Sequence, residues 1–142
     1  MQVDTILAVK GTAVHTILDS ASIADAVGIL NERRIGAVVV TGADGLVAGI
    51  LSERDIVRHL AGDPAGLLSR PVASIMSARV ISTTRSASIA DVMALMTNNR
   101  IRHMPVIEAG HLVGILSIGD VVKWKIEDTE REAVALREYI AS

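Results

Sequence analysis

The chain has 142 residues, half of them hydrophobic, with 14 basic against 16 acidic side chains and no cysteine. That length suits one compact domain or two small halves sharing a core, because a half of about 65 residues alone would bury only about 60% of its surface. The net charge of −2 gives no electrostatic footprint for nucleic acid or an anionic membrane, and the lack of cysteine excludes a disulfide framework, a thiolate nucleophile and a zinc–thiolate site.

The start, Met1-Gln2-Val3-Asp4, lacks the basic and apolar runs of a signal peptide. No apolar stretch approaches the roughly 18 residues of a membrane span, so a cytoplasmic protein is expected. Residues 3–9 read as a short helix closed by Gly11, and Val14–Ile17 as a brief strand. Asp19 or Ser20 caps the next predicted helix, with Ile23, Val27 and Leu30 on its inner face and an end near Arg33-Arg34. Ile35–Val40 is β-branched and short, as a buried strand is. Thr41-Gly42-Ala43-Asp44-Gly45 is turn chemistry with a hairpin Asp-Gly, and Leu46–Leu51 is the returning strand. A helix follows over Glu53–Ala61, with Ile56, Val57 and Leu60 facing inward.

Gly62-Asp63-Pro64-Ala65-Gly66 breaks the pattern, and Pro71–Met76 reads as a short helical turn. The order then recurs: a strand over Val80–Ser82, a helix over Ser88–Asn98 with Ile89, Met93 and Met96 inward, strands over Met104–Ile107 and His111–Ser117, and a last helix from Gly119-Asp120 to Tyr139. The predicted division is a first repeat over 1–63, a linker with a short helix over 64–79, and a second repeat over 80–142. The last helix carries Val122, Ile126, Thr129, Ala133, Leu136 and Ile140 at alternating spacings of four and three, close to a coiled-coil seam. It lies either on its own domain or against a second copy of the chain.

The recurrence extends to motif level. Gly49-Ile50-Leu51-Ser52-Glu53-Arg54-Asp55 returns as Gly114-Ile115-Leu116-Ser117-Ile118-Gly119-Asp120, and Ser20-Ala21-Ser22-Ile23-Ala24-Asp25 returns as Ser86-Ala87-Ser88-Ile89-Ala90-Asp91. The offset changes between the two because the second copy lacks one residue near Ala48. Two copies are too few for a solenoid and point to a closed pair about a pseudo-two-fold axis. Each Ser-x-x-Asp stands where a strand turns into a helix. One reading is a helix capping box. The other is a nucleotide site, with phosphate at the helix start and the carboxylate accepting from a ribose diol, as in dinucleotide folds.

On these residues the chain resembles the cystathionine β-synthase (CBS) domain family, whose members occur as tandem pairs. Gly49-Ile50-Leu51-Ser52 with Asp55 and Gly114-Ile115-Leu116-Ser117 with Asp120 resemble its Gly-hydrophobic-x-Thr/Ser-x-x-Asp motif, and Arg102-His103-Met104-Pro105-Val106 resembles the second domain of a pair. The resemblance covers nearly the whole chain. It implies an α/β (α+β) fold of two β-α-β-β-α repeats, a stand-alone pair with clefts between the repeats, and adenosine ligands such as AMP, ADP, ATP or NAD, with S-adenosylmethionine less favoured. Carried over, Asp55 and Asp120 hold ribose hydroxyls, and Ser52 and Ser117 sit near phosphate. Arg54 neutralises phosphate in the first copy, where the second has Gly119. Arg102 and His103 enter the second copy, where the first has Gly36 and Ala37. Thr16 and Ser82 hold equivalent strand positions near the ligand, or have a role only in strand pairing.

Neither metal nor catalytic chemistry is expected. His15 and His111 lack ligand spacing, His59 pairs only with Asp55 one turn back, and Arg102 beside His103 disfavours a cation. Asp55 and Asp120 are equivalent by repeat, whereas an acid–base pair needs different environments. The expected protein is a non-enzymatic, dimeric sensor that binds an adenine nucleotide and acts by population shift through an effector protein. The alternative is a homodimeric scaffold that uses its last helix and binds no nucleotide.

Overall fold

The computed structural model describes residues 1–142 as an α+β chain. The order is α1 (Val3–Lys10), β1 (Thr16–Leu18), α2 (Ile23–Arg33), β2 (Ala37–Thr41), β3 (Val47–Ser52), α3 (Glu53–Leu60), two 3-10 turns (Leu67–Ser69 and Val72–Ser74), α4 (Ile89–Asn99), β4 (His103–Glu108), β5 (His111–Ser117) and α5 (Ile118–Ala141). The chain forms two compact units. One comprises Ala13–Ile81 with Ala109–Leu112; the other comprises Met1–Thr12, Ser82–Glu108 and Val113–Ser142. No helix is long and apolar enough to cross a membrane.

In the first of these units β1 pairs parallel with β2, and β2 antiparallel with β3. Val40 faces Gly49 while Thr41 faces Val47, so Ala48 is a bulged residue. This is the residue whose absence shortens the second copy. Ile17, Ile23, Ala26, Leu30, Val38, Val40, Leu51 and Ile56 form the core together with Leu67, Val72 and Ile75 from the segment after α3. Ser22, rather than Asp19 or Ser20, caps α2, its side chain accepting from the Asp25 N–H. The buried face of α2 is Ile23, Ala26 and Leu30; Val27 lies on the flank of that arc and is exposed. On α3 only Ile56 is buried. Val57 and Leu60 are exposed, because a helix of two turns lying on a sheet edge buries one row.

In the other unit α4 repeats α2. Ser88 caps it, Ile89, Val92 and Met96 are buried, and Met93 is only partly so. Both helices end on an arginine in the left-handed region, Arg34 and Arg100, each with φ 53°. The β4–β5 turn places Ala109 (φ 51°) and Gly110 (φ 81°) both at positive φ, as a two-residue hairpin requires.

Val80–Ser82 does not form the predicted strand; only Thr83 bridges Val106 in parallel. The Thr83 N–H donates to the Pro105 carbonyl and the Ile107 N–H to the Thr83 carbonyl. The next rung toward Ile81 would need an N–H on residue 105, and proline has none. Val39, the equivalent in the first copy, carries one, and β1 there runs over three residues.

The first residues of the chain belong to the second copy's unit. Val3 N–H donates to Ala87 and Ile89 N–H to Met1, at 2.9 and 3.0 Å. In the other unit Val72 N–H donates to Ala21 and Ile23 N–H to Arg70, at 2.8 and 2.9 Å. Met1–Leu7 thus does for α4 what Arg70–Met76 does for α2. Val3, Ile6 and Leu7 are buried, as Val72 and Ile75 are. The two segments then part. α1 stays helical to Lys10, whereas the chain after Ser74 turns extended and Ser77 exchanges both backbone hydrogen bonds with Ile50.

Candidate functional site

Both Ser-x-x-Asp steps fold as complete capping boxes. In the first, the Ser52 N–H donates to Asp55 Oδ2 (2.9 Å) and the Asp55 N–H to Ser52 Oγ (3.2 Å). The Ser52 hydroxyl also donates to Asp55 Oδ2, at 3.0 Å. In the second, the Ser117 N–H donates to Asp120 Oδ2 (3.0 Å) and the Asp120 N–H to Ser117 Oγ (3.1 Å). The next N–H of each helix is engaged as well: Glu53 donates to the Gly36 carbonyl and Ile118 to that of Arg102. The helix starts are therefore largely satisfied by the protein. The second helical N–H, of Arg54 and of Gly119, and Oδ1 of each carboxylate lie outside the capping set. The capping reading is thus realised, and it orients the carboxylate that the nucleotide reading uses.

The motif glycines have a packing reason. A Cβ on Gly49 would stand 2.7 Å from the Ser77 carbonyl oxygen and from Met76 Sδ; one on Gly114 would stand 2.7 Å from Leu7 Cδ2. Each glycine lets the segment of its own unit, Met76-Ser77 or α1, cross the strand that leads to the helix start.

The other predicted residues fall around these two points. Thr16 begins β1 and is exposed; it lies at the end of the sheet where β2 begins and β3 ends at Ser52. Arg54 is exposed on the first turn of α3. Arg102 is exposed just before β4, and its carbonyl ties it to the start of α5. His103 is the first residue of β4 and is partly buried. Ser82 is exposed and lies outside any strand. The fold thus brings Thr16, Ser52, Arg54 and Asp55 into one unit, and Ser82, Arg102, His103, Ser117 and Asp120 into the other.

Lys10 is the residue the motif comparison misses. Its ammonium donates to the Asp120 carboxylate and, at 2.9 Å, to the Ile115 carbonyl. Burial works to raise the Asp120 pKa. The hydrogen bonds from Lys10 and Ser117, with the positive charge of Lys10, outweigh it and hold the carboxyl below its ordinary 3.8. The first copy differs. There Ile50, the counterpart of Ile115, has its carbonyl taken by the Ser77 N–H, and Asp55 makes no ion pair. Arg79, which follows Val72 as Lys10 follows Val3, is exposed.

Comparison with known proteins agrees with this duplicated geometry. The CBS domain model matches residues 9–62 and again 72–127. A CBS-domain protein of Agrobacterium tumefaciens is 44% identical, with a TM-score of 0.85 over 88% of this chain and 99% of that one. A mitochondrial CBS-domain protein of Arabidopsis thaliana is 37% identical over 82% of this chain, which spans only 58% of that relative's length. A CBS-domain protein of Pyrobaculum aerophilum, solved in complex with AMP, is 27% identical, with a TM-score of 0.76 over 84% of this chain and 89% of that one. The chain belongs to the CBS-domain family and carries two copies of the domain.

Proposed function

We propose that the chain is a regulatory module that binds an adenosine nucleotide and carries out no turnover. Asp55 and Asp120 accept from the ribose hydroxyls, and the basic residues near the two helix starts meet phosphate. The observation that carries this reading is the duplicated carboxylate, fixed by its capping box with Oδ1 outside the box. The AMP complex of the Pyrobaculum relative supports the ligand class. Arg54 serves the first copy, and Arg102 with His103 the second. Thr16 and Ser82, both exposed, contribute at most to the sugar or base. AMP is the reference ligand; ADP, ATP and NAD extend the same adenosine group. Binding favours one conformation of the chain over another by the difference in its affinity for the two, and an effector protein receives the change.

Titration with AMP, followed by thermal unfolding, tests the reading. At about 100 times the dissociation constant a ligand adds about 2.7 kcal/mol of stability. Replacing both Asp55 and Asp120 by Ala removes charge-assisted hydrogen bonds of about 1.5–3 kcal/mol each, so affinity falls roughly tenfold or more while the fold persists. Unchanged affinity in the double variant overturns the assignment.

A second reading is favoured by α5. Val122, Ile126, Leu136 and Ile140 of the heptad-like seam are all exposed, as a helix awaiting the same helix of a second copy would show them. In that reading the chain is a homodimeric scaffold and the Ser-x-x-Asp steps only cap. A dimer that forms with no AMP effect on stability selects it; a dimer that AMP stabilises joins the two readings.

A further inference from the structure

We propose that Lys10 latches Asp120, so that the second copy accepts an adenosine ligand only after this ammonium withdraws, whereas Asp55 in the first copy is open to it. The proposal rests on the reading of the two aspartates as ribose acceptors.

The latch is built into the fold. α1 is anchored by Val3, Ile6 and Leu7, each 2% exposed or less. Its last turn delivers Lys10 before the chain leaves at Gly11, whose φ is 94°. The ammonium spans two acceptors, the Ile115 carbonyl at the end of β5 and the Asp120 carboxylate on the first turn of α5. The oxygen it engages is Oδ2, which the capping box also uses. The two side chains are 35% and 29% exposed, so the pair is partly shielded yet within reach of a solute.

The first copy has no such device. Ser77 pairs with Ile50 through its backbone, and this closes the acceptor that Lys10 uses in the second copy. The chemistry follows from charge. A ribose diol offers two neutral O–H donors. A carboxylate already matched by an ammonium is a weaker acceptor for them, and a diol that spans both carboxylate oxygens must displace the ammonium from Oδ2. The same contacts hold the Asp120 carboxyl below its ordinary 3.8, as an ammonium that favours the charged form does.

The apparent affinity of the second copy is its intrinsic affinity scaled by the fraction of time the latch is open. For a partly exposed ion pair that fraction is about one half to one sixth, so removing Lys10 tightens binding about two- to sixfold.

The test uses the full chain with Asp55→Ala, so that only the second copy reports. Adenosine, which has no phosphate, is titrated against this chain, with Lys10→Met added and with Lys10→Arg added. The proposal expects Lys10→Met to tighten adenosine about two- to sixfold and Lys10→Arg, which keeps the cation, to stay near the parent. Unchanged or weaker adenosine binding in the Lys10→Met chain overturns it. So does AMP binding that weakens with Lys10→Met while adenosine is unaffected, because the lysine then serves phosphate. Adenosine binding with Asp55 intact but in none of the Asp55→Ala chains overturns the latch and leaves the adenosine reading standing. No binding in any chain, Asp55 intact included, overturns both.

Discussion

The two copies of the domain share a motif and differ in what crosses it. In the first, an extended backbone at Ser77 pairs with the strand before the helix start. In the second, a helix crosses in its place and a lysine side chain takes over the free carbonyl. The glycine, the serine and the aspartate serve both arrangements. Duplication thus conserved the cap, and the crossing segment set what the aspartate faces: Ser52 alone in one copy, Ser117 and Lys10 in the other.

The comparison breaks most sharply at the glycines. Gly49→Ala drives a methyl against the Ser77 carbonyl, which is itself held by hydrogen bonds to Ile50. Gly114→Ala meets the Leu7 side chain rather than backbone, so a buried side chain and not the main chain must shift. Overpacking against backbone costs toward the upper end of about 1–3 kcal/mol, and against a side chain toward the lower end. Urea denaturation should therefore rank Gly49→Ala as the more damaging by at least about 1 kcal/mol. Equal losses would mean that α1 is held as rigidly over its glycine as Ser77 is.

A smaller effect isolates the ion pair. Either aspartate replaced by Ala keeps the serine cap but loses its own half of the capping box, about 0.5–1.5 kcal/mol for one hydrogen bond. Asp120→Ala also strands Lys10. A double-mutant cycle on Lys10→Met and Asp120→Ala should show coupling of about 0.5 kcal/mol, and the same cycle with Asp55→Ala none. The coupling has a pH signature. The Asp120 carboxyl titrates lower in the folded chain than its ordinary 3.8, so the folded state binds fewer protons than the unfolded state in that range. Its contribution is complete above about pH 5 and fades as pH falls through 3.8 and below. Lys10→Met should flatten this acid-side loss. A Lys10→Met chain that keeps the full acid dependence would place its origin elsewhere.

Much of this architecture is legible in the sequence. The repeat of Gly-Ile-Leu-Ser-x-x-Asp names the family, and the shortened second hairpin points to the bulge at Ala48. Helical faces were harder, because spacings of three and four compete: Val27 and Met93 satisfy the periodicity, but Ala26 and Val92 lie nearer the middle of the packed arc. The contact at Lys10 escapes a motif comparison because it spans 110 positions. Its signal lies in a fainter repeat, Val3, Ile6 and Leu7 against Val72, Ile75 and Met76, which places the start of the chain beside the second copy. That the parallel segment makes no ion pair with Asp55 follows from an extended rather than helical path, and local composition does not fix that choice.

The least perturbing test concerns the strand that failed to form. Thr83 makes one parallel bridge where the first copy has three pairs, from Thr16 to Leu18. Pro105 withholds the donor that Ile81 would need. Pro105→Val restores that N–H at a buried position, and the strand should then extend back to Ile81. Total stability should move by no more than about 1 kcal/mol, because the new hydrogen bond is offset by a more flexible unfolded chain. The informative readout is amide exchange: a slowly exchanging proton at residue 105 reports the added rung. Fast exchange there would show that the path of residues 80–82, and not the proline, keeps the second sheet to two strands.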